Sequence, residues 1–295
     1  MAVLVCENLC KSKKNEEVIK NFSYNFLNDK TYAILGKSDS NKDILLEILA
    51  GKVIPNSGRV YLDGDDIFLK PNLNEQLCLI NNNFSFCHLL KVYEVFTIMA
   101  TIFTKWDNGY AVKLLEKFEI PHNAYFGKLK KNKQSLILGI IGLCCKANIT
   151  IFDNPVAYSD PLERFLFFEE LYAHKTKYPR TIIITTEFID EIHFLIDNIL
   201  LIDKGVLIDV FSIEDLKENF CYLIGKTEVL SSLITNIKII GYEEHDNTLT
   251  VCLRQKLTKD DIRKYQKYLI KISEVPIQKI FIYLLNIRAK KEEIV

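Results

Sequence analysis

The sequence of 295 residues predicts an α/β fold with a doubly wound, mostly parallel sheet. The first observation is a set of short runs, mostly apolar at residues 32–35 and 149–152 and continuously β-branched at 181–186, which are typical of strands buried on both faces. The second is that segments of helical periodicity separate these runs, as expected when helices join parallel strands. The third lies in residues 31–48, where a buried strand, a loop opening at Gly36 and a helix starting near Lys42 follow one another.

The first half of the chain supplies the early elements. Residues 1–35 alternate short apolar runs with polar turns, which suits antiparallel strands leading into the strand at 32–35. The next predicted elements are a helix at 43–50, strands at 59–62 and 67–69 around the Asp63-Gly64 turn, a strand at 77–80, and helical residues at 90–119 with a break at 106–109.

The second half continues the alternation and then changes character. The predicted elements are a helix at 133–146, a strand at 149–152, a helix at 161–173, a strand at 181–186, and a hairpin of 198–202 with 206–210. Beyond these we expect strands at 237–242 and 248–253 and helices at 260–269 and 277–285. The sequence therefore predicts a main domain at 1–212 and a small α+β extension at 213–295.

Composition limits the classes of function. Hydrophobic residues make up 48% of the chain and the formal net charge is zero, so no global charge favours nucleic acid or anionic lipid. The eight cysteines form no CxxC pair or Cys/His ligand cluster, and no metal site is expected. No apolar run approaches the roughly 20 residues that span a bilayer. We expect a reduced, cytoplasmic protein that acts at a membrane only through a partner.

One motif relates this order of helices and strands to a particular protein family. In the segment ITIFDNPVAYSDP, four apolar residues precede Asp153, and Pro155, Asp160 and Pro161 follow at fixed spacing. This segment resembles the Walker B strand and D-loop of ABC-transporter nucleotide-binding domains, and the resemblance covers residues 1 to about 210. The C-terminal tail is similar to the extension of exporters of the ABC-2 or drug-exporter type. The resemblance implies a P-loop NTPase, ABC ATPase-like, with an antiparallel β subdomain, a helical subdomain and a small α+β C-terminal extension.

The loop opening at Gly36 is chemically altered for phosphate binding. A P-loop uses small glycines, a lysine and a Ser/Thr hydroxyl that holds Mg²⁺. Gly36 and Lys42 are retained, whereas Asp39 and Asn41 replace glycines and Asp43 replaces the hydroxyl. Asn41 tolerates a left-handed backbone. A misplaced carboxylate about 4 Å from a phosphate charge costs on the order of 4 kcal/mol at an effective dielectric near 20. Mg²⁺ coordination rearranged through Asp43 would recover part of this, so the loop is expected to be impaired.

The other positions that the resemblance assigns to catalysis have changed too. Asn154 occupies the position of the catalytic Glu, and an amide cannot accept a proton from the attacking water. Glu187 occupies the position of the switch His, Asn82 that of the Q-loop Gln, and Lys13 that of the aromatic residue that stacks on adenine. The signature motif aligns with Leu129, Lys130, Lys131, Asn132 and Lys133. No catalytic residue is therefore expected. The vestigial nucleotide-binding positions are Gly36, Ser38, Asn41, Lys42, Asp43, Asn82 and Asp153.

Several roles stay open from the sequence. Lys42 either holds an anion at the helix N-terminus or is solvated. Asp153 either binds Mg²⁺ or holds the loop by hydrogen bonding. The lysines at 128, 130, 131 and 133 contact a phosphate or an acidic partner, or form a solvated face, although cations oppose the dipole at a helix N-terminus.

The resemblance also implies a function and partners. The main hypothesis is a catalytically impaired ABC transporter ATP-binding-subunit homologue, a pseudo-ATPase whose binding of ATP and Mg²⁺ is doubtful. It would dimerise with a copy of itself or with a second ABC ATPase-like subunit. The dimer would dock on an ABC permease of an exporter at the inner face of the cell membrane. The alternatives are an active ATP-hydrolysing subunit with non-standard motifs and a free-standing regulatory or sensor protein.

Overall fold

A computed structural model describes residues 2–81, 86, 89–234 and 237–292 of the chain. Their contacts divide the chain into two compact units. The first comprises Met1–Glu187 and Phe194–Val210, and the second comprises Phe188–His193 and Phe211–Val295. The main boundary thus lies at residue 210, two residues before the predicted position, and the short segment that follows Glu187 is counted with the second unit. That the two parts are separate domains stays a prediction.

The helices and strands follow one another along the chain in this order: β1 (Ala2–Lys13), β2 (Glu16–Leu27), β3 (Thr31–Leu35), α1 (Lys42–Leu49), β4 (Ser57–Leu62), β5 (Asp65–Asp66), β6 (Leu77–Asn81), α2 (Val92–Ile102), α3 (Asn108–Lys117), α4 (Lys131–Cys144), β7 (Ile149–Asp153), α5 (Pro161–Lys177), β8 (Thr181–Thr185), α6 (Ile189–Ile192), β9 (Asn198–Asp203), β10 (Val206–Ser212), α7 (Ile213–Asn219), β11 (Phe220–Lys226), α8 (Thr227–Leu233), β12 (Ile239–His245), β13 (Thr248–Arg254), α9 (Lys259–Lys267), β14 (Lys271–Ser273) and α10 (Ile277–Glu292).

An antiparallel sheet of the order β2-β1-β4-β5 opens the first unit. Its central strand β1 pairs antiparallel with both β2 and β4. Side chains on one face, including Leu4, Phe22 and Phe26, are buried in the main core of the unit. Their neighbours along the strand point away, because successive side chains of a strand alternate between the two faces.

A six-stranded sheet of the order β10-β9-β3-β8-β7-β6 forms the centre of the first unit. Strand β3 pairs in parallel with β8 and β9, and β7 pairs in parallel with β8 and β6. Every residue of β3 and β8 is buried, which explains why the residues inside these strands are apolar. The loop at Gly36 therefore follows a central strand, with a parallel neighbour on each side.

The strand predicted at 67–69 is wrong. The β4–β5 pairing ends at Asp66, and the chain turns there. Oδ1 of Asp66 accepts a hydrogen bond from the Phe68 N–H at 2.9 Å, and the Leu69 N–H donates to the Asp66 carbonyl at 3.2 Å. An aspartate side chain that bonds the backbone two residues on favours a turn over a ladder. Ile67 is nevertheless buried, which is why its apolar character resembled that of a strand.

The second unit contains a four-stranded sheet of the order β12-β13-β11-β14. Strand β11 pairs antiparallel with β13 and β14, and a small core forms around Leu223, Val251 and Tyr265. The sequence predicted β12, β13, α9 and α10 but missed α7, β11, α8 and β14. The missed elements are three to seven residues long, and segments this short carry too few periodic positions to be recognised.

Candidate nucleotide site

The candidate site lies in the loop between β3 and α1, at the carboxyl end of the central sheet. Gly36 begins this loop. A Cβ atom added at Gly36 would lie 2.1 Å from the carbonyl oxygen of Ile202 on β9 and 2.9 Å from the Cβ of Ser40. Any larger residue would push the loop off the neighbouring strand. Glycine is thus required here by the packing of the sheet as well as by the loop motif.

The Lys42 ammonium group folds back onto its own loop. Nζ donates to the carbonyl oxygens of Gly36 at 2.7 Å and Lys37 at 2.8 Å, and it lies 3.0 Å from Oγ of Ser40. An ammonium group carries three hydrogens, so these contacts satisfy all of its donors within the loop. Of the two roles open for Lys42, the structure therefore excludes a simply solvated side chain.

Ser40 makes its hydrogen bonds within the loop. Its side chain is buried, its Oγ donates to the Lys37 carbonyl at 2.6 Å, and its N–H donates to the same carbonyl at 3.1 Å. Residues Ser38–Ser40 accordingly form a single 3-10 turn. The Ser40 N–H is thus used within the loop and does not point at a ligand. The following residue, Asn41, has φ 60° and ψ 30°, the left-handed conformation that the sequence predicted it to tolerate.

Four carboxylates surround Lys42. Burial lowers the pKa of the Lys42 ammonium, and the charges of Asp153, Asp43, Asp39 and Glu187 oppose that shift. The pKa of Asp153 is raised, first by burial and then by the charge of Asp43, although the Thr185 hydrogen bond and Lys42 act in the opposite direction. Asp39, Asp43, Asp153 and Glu187 thus all act electrostatically on Lys42, four carboxyl groups against one ammonium group.

Asp153 is held by the neighbouring strand. It lies opposite Thr185 in the β7–β8 register, and its Oδ1 accepts a hydrogen bond from the Thr185 hydroxyl at 2.7 Å. The N–H of Asn154 donates to the same hydroxyl at 2.9 Å and to the Thr185 carbonyl at 3.1 Å. Of the two roles open for Asp153, this geometry supports the acceptor that holds the loop. Asn154 has φ 47°, a conformation that asparagine adopts at little cost.

The segment at the position of the signature motif begins α4. Lys130 precedes the first turn without a side-chain cap. Nδ2 of Asn132 lies 3.1 Å from each carboxylate oxygen of Glu163, and Nζ of Lys133 lies 3.0 Å from Oε1. Burial acts to raise the pKa of Glu163, but the hydrogen bonds from Lys133 and Asn132 outweigh it and the pKa is lowered. Glu163 therefore joins α4 to α5 and is not a simple surface charge.

The four lysines around this segment do not act as one cluster. Lys133 is partly buried and paired with Glu163, and it also donates to the Phe118 carbonyl at 2.7 Å. Lys130 and Lys131 are exposed, as is Lys128, whose Nζ lies 5.1 Å from the centroid of the Tyr125 ring. The lysine set splits into one structural ion pair and three exposed cations.

The structure describes only one of the two remaining predicted positions. Asn82 lies outside the described residues. Lys13 ends β1, and its side chain is exposed. Among the described residues, no side-chain hydrogen bond or ion pair joins Lys13 to the loop. Within the same residues, no group of three or more His, Cys, Asp or Glu side chains has a metal-binding arrangement.

The loop does not fit a nucleotide phosphate. A phosphate would need the Lys42 ammonium and N–H groups of the loop, but the ammonium already donates to Gly36, Lys37 and Ser40, and the Ser40 N–H already donates to the Lys37 carbonyl. The nearby carboxylates would also repel the phosphate, each by on the order of 4 kcal/mol at about 4 Å and an effective dielectric near 20. We therefore derive no catalytic step through ATP or Mg²⁺ at this loop.

Sequence reasoning missed Thr185 and Ser40. Thr185 holds both Asp153 and Asn154, and Ser40 accepts from Lys42. The one available signal for Thr185 was its place at the end of the buried run 181–186, where parallel strands bring polar ends to one edge. Nothing in the sequence distinguished Ser40 from the other small polar residues of the loop.

Comparison with known proteins shows that part of the first unit resembles a known protein family. Residues 19–157 match the protein family described as ABC transporter. The chain is 20% identical over 212 residues to the ABC transporter ATP-binding protein YtrB of Bacillus subtilis, covering 72% of this chain and 73% of that protein. It is 24% identical over 265 residues to an uncharacterized ABC transporter ATP-binding protein of Methanocaldococcus jannaschii, covering 88% and 93%.

A solved structure supports the same fold. A dimeric ATP-binding cassette in a post-hydrolysis state with ADP and Pi superimposes with a TM-score of 0.64 at 18% identity, covering 71% of this chain and 98% of that chain. The fold class predicted from the sequence and the family resemblance are confirmed. Within the described residues, no helix has the length and apolar character to cross a membrane.

Proposed function

Residues 19–157 match the family described as ABC transporter, and from this match we propose that the chain is an ATP-binding-subunit homologue that no longer hydrolyses ATP. Its role is that of a structural or binding module. The observation that carries the proposal is the charge around Lys42, where Asp39, Asp43, Asp153 and Glu187 replace or surround the phosphate ligands.

The lost catalytic groups support the same conclusion. An amide at Asn154 cannot take the proton of an attacking water, and the carboxylate of Glu187 would repel a γ-phosphate. Asn154 and Asp153 are both fixed on Thr185 by hydrogen bonds of 2.9 and 2.7 Å. The Asp153 carboxylate and the Asn154 backbone N–H thus join the ends of two strands, a role that needs no nucleotide.

The proposal includes partners. One solved structure with this fold is a dimer bound to ADP and Pi, and the curated relatives are named as ATP-binding proteins of ABC transporters. We propose that this chain forms a dimer with itself or with a second ABC ATPase-like subunit, and that the dimer docks on an exporter permease at the inner face of the cell membrane.

The test is nucleotide binding and turnover by the purified chain. In titration calorimetry with ATP and Mg²⁺ we expect no binding at the loop tighter than about 1 mM, which corresponds to roughly 4 kcal/mol, and no release of phosphate. A loop-repair variant, Asp39→Gly/Asn41→Gly/Asp43→Thr, removes two carboxylates and is expected to bind ATP at least about tenfold more tightly.

A matched control separates loop binding from binding elsewhere. In the loop-repair variant, Lys42 neutralises the bound phosphate. Adding Lys42→Ala to that variant should therefore abolish the gained affinity. The proposal fails if the wild-type chain hydrolyses ATP in a Mg²⁺-dependent reaction that Lys42→Ala removes. Co-purification of the tagged chain with a multi-span membrane protein tests the permease partner, and consistent isolation without one contradicts it.

A further inference from the structure

A second polar groove lies at the opposite end of the central sheet. A cavity of about 390 Å³ is lined by Lys105, Lys146, Asn148, Lys177, Tyr178 and Arg180. It borders the starts of β7 and β8, whereas the loop site borders their ends. Each strand has five residues, so about 13 Å of strand separates the two sites. A neighbouring cavity of about 380 Å³ shares Lys105, Lys146 and Asn148.

Arg180 is the deepest cation of this groove. Only 3% of its surface is exposed. Its Nη1 lies 3.1 Å from His174 Nδ1, and its Nη2 donates to the Gly142 carbonyl at 3.2 Å. These partners are neutral, because burial, followed by the charge of Arg180, lowers the pKa of His174 to about 3. Its Nε has no hydrogen-bond partner among the described residues. A buried guanidinium without a carboxylate partner is costly.

The other cations are arranged around Tyr178. Nζ of Lys146 lies 3.9 Å from the centroid of the Tyr178 ring and 2.8 Å from Oδ2 of Asp107. Nζ of Lys177 lies 5.3 Å from the same centroid. Lys105 contacts only a neutral group, the Asn148 side-chain oxygen at 3.1 Å. Within the described part of the chain, neither Lys105 nor Lys177 forms an ion pair with a carboxylate.

The groove therefore carries an excess of positive charge. Four cations face two carboxylates, Asp107, which is paired with Lys146, and Asp29, which lines the cavity. This contrasts with a chain whose formal net charge is zero. Lysine ammonium groups above a buried guanidinium match the charge of a phosphoryl group, and the ammonium groups match its hydrogen-bond acceptors.

We propose that this groove binds a small phosphate-bearing anion. The exposed Lys105 and Lys177 contact the phosphoryl oxygens. Arg180 lies buried beneath them with its Nη atoms bonded to His174 and Gly142, and it adds positive charge to the groove without touching the ligand. This site is independent of the proposed function of the loop, since it uses different residues at the other end of the strands.

Pyrophosphate is the probe for the test. In titration calorimetry the wild-type chain is expected to bind it saturably, and Lys105→Glu/Lys177→Glu is expected to weaken binding about tenfold or more, since two cations near the anion become repulsive. Both lysines are exposed, so the variant should fold. The control Lys14→Glu/Lys20→Glu reverses two exposed lysines of β2 and its preceding turn and should bind as the wild type does.

Two further experiments identify the binding site and the source of the phosphate. Lys42→Ala must leave pyrophosphate binding unchanged; if binding is lost, the ligand sits in the loop and the groove proposal is overturned. Sedimentation with phosphatidylcholine vesicles containing phosphatidic acid shows whether a lipid headgroup supplies the phosphate. The proposal is supported if pyrophosphate or the vesicles bind to the wild-type chain and Lys105→Glu/Lys177→Glu weakens that binding. It is overturned if neither source binds, or if the double variant binds as tightly as the wild type.

Discussion

The hydroxyl of Thr185 donates a 2.7 Å hydrogen bond to Oδ1 of Asp153, tying the carboxyl ends of two parallel strands together. The same hydroxyl accepts the N–H of Asn154. Thr185 thus serves as both donor and acceptor, and it holds the loop after β7 in place. This contact gives Asp153 a structural role at the end of β7.

The negative charge of Asp153 should lower the free energy of unfolding at neutral pH. Burial raises its pKa above the ordinary value of 3.8, so the fold favours the protonated carboxyl. That stabilisation is fully present below pH 3.8 and is lost as the pH rises through the folded-state pKa. Asp153→Asn, which mimics the neutral form, should therefore have a higher free energy of unfolding than the wild type at pH 7, with the difference shrinking towards pH 3.8. Urea unfolding at both pH values measures this, and Glu17→Gln, an exposed site, is the control.

Substitution of Gly36 should displace the loop, because the new side chain would clash with β9. In Gly36→Ala the new Cβ would lie 2.1 Å from the Ile202 carbonyl oxygen, and the resulting shift should lower the free energy of unfolding by about 3 kcal/mol. Gly109→Ala is the matched control, because its Cβ would meet only Oδ1 of Asp107 at 3.7 Å. Thermal unfolding of both variants checks the prediction, and equal melting temperatures would contradict it.

Removal of Glu163 should loosen α4 from α5. Glu163→Ala leaves Asn132 and Lys133 without their carboxylate acceptor, and side-chain exposures of 24% for Lys133 and 13% for Glu163 mean that water replaces it poorly. The expected loss is about 1–2 kcal/mol in the free energy of unfolding. Glu169→Ala removes an exposed carboxylate from the same helix and should have little effect. A double-mutant cycle with Lys133→Ala should show coupling, and simple additivity would argue against the contact.

Acid should destabilise the fold through His174. Burial, aided by the charge of Arg180, lowers its pKa from 6.5 to about 3, so the neutral ring contributes stability that is present above pH 6.5 and is lost as the pH falls towards 3. At pH 5 the loss relative to neutral pH is about 2 kcal/mol. His174→Gln should reduce the difference between unfolding free energies at pH 7 and pH 5 by about that amount. His122→Gln, at an exposed site, should leave the difference unchanged.

The sequence by itself determined the central sheet, the loop at Gly36 and the family motifs. Strands such as β3 and β8 are buried on both faces, so their apolar runs are visible locally. The positions of Lys42, Asp153 and Glu187 could likewise be read from spacing, because each follows directly on a recognisable strand or loop. Local patterns failed where a single side chain decides the outcome, as at Asp66, whose carboxylate turns the chain away from a predicted strand.

Only the tertiary structure decided what these residues contact. Lys42 satisfies its donors within its own loop, Thr185 holds Asp153, and Arg180 is buried beside Lys146 and Tyr178. The contacts of Thr185 with Asp153 and the proximity of Arg180 to Lys146 join residues that lie far apart in the chain. The energies of all these arrangements depend on burial and on the sum of neighbouring charges. The loop at Gly36 thus has the position of a phosphate site but not its chemistry, whereas the excess positive charge lies at the other end of the same strands.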